Sequence, residues 1–116
     1  MDHYHAWFDL KPGVKDMDFA RAFEAYMALL KEKGVIADWR LTRRKLGLGP
    51  KELREFHAAM TVRDLAQLDA AFTLMASRSE PAEGAHHAVN SQVQNAFFAL
   101  YRDFPDPVRR EGEERF

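Results

Sequence analysis

The chain has 116 residues, with 17 lysines and arginines against 18 acidic residues and a net charge of −1. This length fits one domain, and an apolar content of 47% excludes a wholly disordered chain. The absence of cysteine excludes a disulfide scaffold, a thiolate nucleophile and cysteine-ligated zinc. The balanced charge argues against a dedicated nucleic-acid-binding protein.

Neither a membrane span nor a secretion signal is expected. No uncharged run approaches the roughly 18 residues that a membrane helix needs. The opening MDHYHAWFDL lacks the charged and apolar regions of a signal peptide. We therefore expect a cytoplasmic protein with a single domain over residues 1–107, followed by a charged arm over residues 108–116.

The first half of the chain predicts a strand, a helix and a strand. Residues 3–10 alternate between two faces, the pattern of a strand. Residues 16–34 carry apolar side chains at helical spacing, and Gly34 suits the left-handed position that follows a helix. Residues 35–46 alternate again and predict a second strand, which ends at the glycine-rich turn 47–50.

The second half repeats this pattern. Residues 55–62 alternate and predict a third strand, and residues 64–77 predict a helix with Asp64 as its N-cap. A short helix is expected within residues 78–96, and its role stays open between a lid over a cleft and plain packing. Residues 96–104 are rich in aromatics and predict the last strand.

The order β-α-β-β-α-β predicts an α+β protein with the ferredoxin-like sandwich. Its antiparallel sheet has the spatial order 4-1-3-2, and the helices lie on one face. The strand residues expected to pack beneath the helices are Tyr4, Ala6, Phe8, Leu10, Phe56, Ala58, Met60 and Val62.

The other face of the sheet is expected to be uncovered in a single chain. It carries Trp7, Ala59, histidines and charged residues, and an exposed tryptophan on a flat sheet face is typical of an interface. Two such sheets packed about a two-fold axis would cover it. The sequence therefore predicts a homodimer that associates through the sheet face.

Three stretches, HYHAWFDLKPGVKD, ADWRLTRRKLGLGPKELREFH and ALYRDFPDP, resemble a bacterial family of unknown function in the dimeric α+β barrel superfamily. This resemblance covers nearly the whole chain. It implies a homodimer whose two sheets form a barrel, with a cavity between sheet and helices or at the interface. The superfamily includes cofactor-free monooxygenases, ring-forming enzymes, haem-binding enzymes and ligand-sensing domains, so the fold does not select one activity.

Histidines form the candidate catalytic group. His3 and His5 point to the same face of the first strand. We expect strands 1 and 3 to be adjacent and parallel, which would place His57 beside both. Such a cluster could act as a general acid or base, converge on a metal ion, or pack as polar groups within an interface.

A ligand would meet further residues on the same face. Arg40 could orient an anionic substrate, and Trp7, Asp38 and Tyr101 complete the candidate binding set. The basic run at positions 40 and 43–45 could equally be a charged edge strand that prevents edge pairing. No resident metal or cofactor is expected.

The main functional hypothesis is a homodimeric small-molecule-binding or structural, stress-related protein. The first alternative is a small cofactor-free oxygenase or cyclase acting on an apolar or aromatic metabolite through His57, His3 and His5. The second alternative is metal or haem binding through the same histidines.

Overall fold

The computed structural model describes residues 1–112 and has one four-stranded antiparallel sheet with three helices on one side. The sheet order is β2-β3-β1-β4, as the ferredoxin-like prediction requires. The elements are β1 (Asp2–Leu10), α1 (Asp16–Glu32), β2 (Asp38–Arg43), β3 (Phe56–Val62), α2 (Leu65–Met75), α3 (Ala82–Asn90) and β4 (Val93–Arg102).

The relative direction of β1 and β3 corrects one expectation. The two strands are adjacent, but they are antiparallel, and His57 lies opposite Trp7. The prediction of a parallel pair was wrong because the strands that run in the same direction are β1 with β2 and β3 with β4, and neither of these pairs is adjacent in the sheet. His57 therefore sits near the end of β1 rather than beside His3.

The core lies between the sheet and the helices. The predicted apolar stripe of α1 is buried, and the side chains of Phe19 and Leu30 are fully inaccessible to solvent. Phe8, Phe56 and Ala58 from the strands pack into the same cluster. The sides of β1 and β3 that were predicted to face the helices are thus confirmed. Burial of this apolar surface is the main favourable term in folding.

Helix boundaries follow local signals. Asp64 is the N-cap of α2, and its side chain accepts a hydrogen bond from the Gln67 N–H at 2.9 Å. Gly34 has a φ of +72° directly after the last turn of α1, where residues with a Cβ are strained. The short helix expected within 78–96 is α3, which packs mainly on α1.

The C-terminal part of the chain agrees less closely with the elements predicted from the sequence. β4 begins at Val93, earlier than predicted, and its pairing with β1 shifts register between Trp7 and Asp9. Residues 108–112 of the predicted arm contain neither helix nor strand, and residues 113–116 lie outside the described residues. The division at residue 107 stays a prediction. In the described part of the chain, no helix is long and apolar enough to cross a membrane.

Candidate functional site

The sheet face opposite the helices carries every candidate site residue. Strand pairing arranges the side chains of this face in three rows that cross the sheet in the order β2, β3, β1, β4. The rows are Asp38, Thr61, His3, Tyr101; then Arg40, Ala59, His5, Ala99; then Thr42, His57, Trp7, Phe97.

Stacked rings occupy the centre of the sheet face. The His5 ring stacks on those of His57 and Trp7, with centroid distances of 5.0 and 5.4 Å. Trp7 also stacks on His57 and on Phe97, at 4.7 and 5.2 Å. We call these four residues the ring layer. Because no helix covers this face, the ring layer is only partly shielded from solvent.

Two imidazoles of the ring layer share one hydrogen bond. The distance from His5 Nδ1 to His57 Nε2 is 2.7 Å, so one nitrogen donates and the other accepts. Burial, and secondly the charge of His3, lowers the pKa of His5; burial, and secondly the charge of His5, lowers the pKa of His57. The pair is therefore held in its neutral form near pH 7.

His3 belongs to a separate set of contacts. Its Nε2 lies 2.6 Å from Asp103 Oδ1, and its Nδ1 lies 3.2 Å from the Thr61 hydroxyl oxygen. The hydrogen bond from His3 lowers the pKa of the Asp103 carboxyl. His3 is thus oriented away from the pair, with its ring centroid 6.4 Å from that of His5.

The three histidines do not form a chelating group. The facing nitrogens of His5 and His57 are occupied by each other, and both nitrogens of His3 have partners. Within residues 1–112, no group of three or more histidine, aspartate or glutamate side chains is arranged to hold a metal ion. The geometry therefore does not support chelation of one metal ion by these three histidines.

A recess lies beside the ring layer on the sheet face. It has a volume of about 390 Å³, its floor is Ala59, and its walls include Arg40, His57 and His3. The small side chain of Ala59 lies between bulkier neighbours along β3, which explains the depression. Asp38 also lines it, but its carboxylate accepts the N–H of Trp39 at 2.8 Å and lies 3.7 Å from Lys31 Nζ.

The basic run of the second strand separates into two groups. Arg43 is paired with Glu55 and Asp16, and the Arg44 guanidinium donates to the carbonyls of Pro50 and Leu53. These two arginines hold the β2–β3 connection together. Arg40 makes no ion pair with any residue in the described range 1–112, so its charge is available to a ligand.

The four candidate ligand-binding residues lie at different distances from the ring layer. Tyr101 contacts His5 edge to face at 5.3 Å, and its side chain is 62% exposed. Trp7 is inside the ring layer, whereas Arg40 and Asp38 lie on the edge strand β2. The structure thus brings His5, His57 and Trp7 into contact, and Arg40 reaches them only across the recess.

A second cavity lies on the helix side of the sheet, one of the two places where the family resemblance implies a cavity. This helix-side cavity has a volume of about 140 Å³ and is lined by Tyr26, His86 and apolar side chains of the strands and helices. The Tyr26 hydroxyl is buried without a hydrogen-bond partner among the described residues. The apolar stripe of α1 by itself predicts a filled core, so the cavity was expected from the resemblance and not from the residue pattern.

Comparison with solved structures identifies the fold. A protein of Arabidopsis thaliana, At3g17210, has a TM-score of 0.70 at 8% identity, with 89% of this chain and 95% of that chain covered. A dimeric ferredoxin-like protein of unknown function from Thermobifida fusca has a TM-score of 0.59 at 12% identity, with coverages of 86% and 88%. Another from Jannaschia sp. CCS1 has a TM-score of 0.57 at 16% identity, with coverages of 89% and 100%.

Sequence comparison gives the family but no activity. No curated protein matches the chain. The profile of the family of unknown function DUF6614 matches residues 1–116. This chain, an α+β protein with the ferredoxin-like fold, therefore belongs to the family of unknown function DUF6614.

Proposed function

We propose that the protein is a homodimeric small-molecule-binding protein in which two chains associate through their sheet faces. The observation that carries this proposal is the uncovered ring layer. Aromatic surface of this kind on a flat sheet is typical of protein interfaces. A two-fold axis would stack the two ring layers against each other.

Two further observations support association. The chain exposes 8138 Å², against about 6,500 Å² for a compact monomer of this length. An interface of standard size buries about 800 Å² on each partner, so the excess is large enough to supply one. The similar proteins of T. fusca and Jannaschia are described as dimeric.

Neighbouring phenylalanines of β4 provide a matched test of the dimer. Phe97 lies on the sheet face and Phe98 on the helix side, since successive strand residues point in opposite directions, and both are exposed in one chain. We expect light scattering to give the mass of two chains for the wild type and for Phe98→Asp, and of one chain for Phe97→Asp. A monomeric wild type, or a dimer that survives Phe97→Asp, would overturn the proposed interface.

The proposed ligand is a small aromatic or apolar molecule with one carboxylate, bound in the recess above Ala59. Arg40 supplies a cation without an ion-pair partner in the described part of the chain, and a guanidinium binds carboxylates through paired hydrogen bonds. His57, which lines the recess, supplies a flat surface for a ring. A partner sheet packed over the recess would exclude water and strengthen the charge pairing.

Benzoate is a suitable probe of this site. We expect calorimetry to detect benzoate binding to the wild type and an affinity about tenfold lower for Arg40→Gln, because a hydrogen-bonded charge is lost. Arg21→Gln is the matched control, since Arg21 lies on α1 and pairs with Asp18. Equal affinities of the wild type and Arg40→Gln would refute the role of Arg40.

A second candidate function rests on the hydrogen bond between His5 and His57. A neutral imidazole near pH 7 is a competent general base, and the burial of both rings keeps them neutral. A molecule in the recess with an acidic C–H bond would lie beside His57. The proposed chemistry is transfer of that proton to the imidazole pair, which is the first step of a cofactor-free reaction.

Phenylpyruvate tests this candidate, because it combines a ring, a carboxylate and an acidic methylene. We expect the protein to accelerate deuterium exchange at the methylene, as followed by proton NMR, and His57→Gln to reduce the rate to that of buffer. His87→Gln, on the exposed side of α3, should exchange like the wild type. No acceleration over buffer would exclude this candidate and leave the binding proposal standing.

We propose a small molecule rather than a nucleic acid as the partner. The net charge is −1, and many of the cations on the described residues are already paired with carboxylates or carbonyls. Binding to nucleic acid relies on free cations that contact phosphates. A cytoplasmic location stays the expectation from the sequence.

A further inference from the structure

Three side chains on the sheet face form a chain of hydrogen bonds that ends at a hydroxyl group. His3 Nε2 lies 2.6 Å from Asp103 Oδ1, and His3 Nδ1 lies 3.2 Å from Thr61 Oγ1. A hydrogen bond to a carboxylate requires a proton on Nε2, so Nδ1 of the neutral imidazole is an acceptor. The Thr61 hydroxyl therefore donates to an imidazole that a carboxylate orients. We call these three residues the hydroxyl relay.

Strand pairing holds the members of the hydroxyl relay together. His3 on β1 and Thr61 on β3 are direct partners in the register of these two central strands. Asp103 directly follows β4, and its N–H donates to the Met1 carbonyl at 3.0 Å. This bond continues the pairing of β4 with β1 and brings the carboxylate beside His3. A site built on paired strands is held more precisely than one built on loops.

The hydroxyl relay has the three parts of an activated nucleophile. A hydroxyl is a weak nucleophile until an adjacent base takes its proton, and the base is effective when a third group orients it. Such groups lie within about 2.6–3.2 Å of one another, and both hydrogen bonds of His3 fall in this range. In this geometry Thr61 is the nucleophile, His3 the base and Asp103 the orienting group.

The recess above Ala59 gives a substrate access to this hydroxyl. Thr61 and His3 both line the recess, together with Arg40. Attack of a hydroxyl on a carbonyl carbon places negative charge on the carbonyl oxygen, and a positioned cation stabilises that charge. Arg40 has no ion-pair partner in the described range 1–112, so its guanidinium is available for this role. The chemistry that fits these groups is acyl transfer from a carboxylic ester.

We propose that the recess is an ester-hydrolysing site in which Thr61 is the nucleophile, His3 the general base and Asp103 the residue that positions His3. First, Thr61 Oγ1 bonds to the acyl carbon and its proton passes to His3 Nδ1. The bond from that carbon to the alcohol oxygen breaks, and the alcohol leaves with the proton. Water then attacks the same carbon and gives a proton to His3. The bond to Thr61 breaks, Thr61 regains its proton from His3, and the carboxylic acid leaves.

This activity goes beyond the proposed function, although both use the recess. The hydroxyl relay is complete within one chain and does not include the pair of His5 and His57. Asp103 does not line the recess. We therefore expect Asp103→Asn to slow ester hydrolysis and to leave benzoate affinity unchanged, so that failure of one proposal can be distinguished from failure of the other.

A fluorophosphonate identifies the nucleophile, because an activated hydroxyl bonds to its phosphorus and releases fluoride. Mass spectrometry of peptides should place the label on Thr61 in the wild type, at the same position in Thr61→Ser, and nowhere in Thr61→Val or His3→Gln. Thr42→Val is the matched control, since Thr42 lies on the same face but donates to the main-chain carbonyl of His57. It should be labelled like the wild type. An unlabelled wild type, or a label at another residue, would overturn the proposal.

Hydrolysis of 4-nitrophenyl acetate measures turnover by the same groups. We expect Thr61→Val and His3→Gln each to lower kcat about 100-fold, the scale of general acid–base catalysis, and Thr61→Ser to retain activity. Valine suits a strand, and His3→Gln keeps the test decisive if Thr61→Val does not fold. Unchanged turnover in a folded Thr61→Val variant would show that other groups cleave the ester, and would overturn the proposal.

The positioning role of Asp103 requires its own measurement. Asp103→Asn should lower kcat about tenfold or more, because the orienting charge is lost, and should leave KM unchanged, because Asp103 lies outside the recess. Asp103→Glu restores the carboxylate and should recover part of kcat. A purely structural role would not give this separation of kcat from KM. Equal kcat values for the wild type and Asp103→Asn would refute the role of Asp103.

Discussion

His5 and His57, on adjacent antiparallel strands and diagonal to each other in register, are joined by a hydrogen bond of 2.7 Å between their ring nitrogens. A hydrogen bond between two imidazoles requires one nitrogen without a proton. The arrangement therefore disfavours a doubly protonated pair, and it adds to the effect of burial, which lowers both pKa values.

The first prediction is that acid destabilises the protein through this pair. A histidine whose folded-state pKa lies below its unfolded value of about 6.5 binds more protons when unfolded, so stability rises with pH in that window. The contribution is complete above about pH 7 and is lost as the pH falls below 6.5 towards the folded-state values. Urea unfolding at pH 7.5 and 5.5, at one protein concentration, should give a lower free energy of unfolding at pH 5.5.

Glutamine at position 57 provides the comparison for this prediction. His57→Gln retains a hydrogen-bonding side chain that does not titrate, so the difference between pH 7.5 and 5.5 should become smaller. His87→Gln, at an exposed position, should keep the pH dependence of the wild type. Carboxylates titrate near pH 4 and contribute little in this window. A pH dependence unaltered in His57→Gln would disprove the assignment to the pair.

The second prediction concerns the Tyr26 hydroxyl. Tyr26→Phe removes a buried polar group that has no partner in the described structure, so the free energy of unfolding should rise by about 1 kcal/mol. Differential scanning calorimetry would measure this as an increase in Tm. A decrease of similar size would mean that the hydroxyl is satisfied by an ordered water, and the cavity would then be occupied by solvent.

Alternation along the strands was sufficient to predict the two faces of the sheet. Trp7 and Phe8, for example, were assigned to opposite faces, and the structure buries Phe8 beneath the helices. The periodicity of a strand does not determine whether it runs parallel or antiparallel to its neighbour, because that direction depends on the connections between the strands. The parallel arrangement expected for β1 and β3 was wrong because it conflicts with the antiparallel sheet that the order of the elements predicts; antiparallel pairing places His57 beside Trp7.

The residue pattern alone does not predict the helix-side cavity, which only the family resemblance implied, because the cavity depends on distances between elements. Tyr26 lies in an apolar stripe that correctly predicts burial of α1. Whether the space above Ala6 and Ala58 is filled depends on how closely α1 and α3 approach the sheet, and the sequence contains no direct measure of that distance. The same limit applies to Arg40, because its lack of an ion pair among residues 1–112 depends on where the carboxylates of other elements lie.

The third prediction tests the core directly. Leu30 is fully buried between α1 and the sheet, so Leu30→Ala should lower the free energy of unfolding by about 2–5 kcal/mol, the range for a buried leucine. Leu48 is 76% exposed in the β2–β3 connection, and Leu48→Ala should change stability by less than about 0.5 kcal/mol. Urea unfolding of both variants would measure the difference, and similar costs would contradict the assigned core.

The fourth prediction concerns Gln67, which links the ends of two helices. Its Nε2 donates to the Gly34 carbonyl at 3.0 Å, and its Oε1 accepts the Arg63 N–H at 2.7 Å. Gln67→Met keeps the length of the side chain but leaves both backbone groups without this partner, so it should cost about 2–4 kcal/mol. Asp64→Ala removes only the cap of α2 and should cost about 1 kcal/mol.

Urea unfolding of these two variants, with Asp64→Asn as a control that preserves the cap, would measure both costs. Asp64→Asn should remain close to the wild type because asparagine caps a helix about as well as aspartate. If Gln67→Met costs no more than Asp64→Ala, water replaces the glutamine at Gly34 and Arg63, and the connection between the helix ends contributes little. A larger cost for Gln67→Met means that this one buried amide holds the end of α1 against the start of α2.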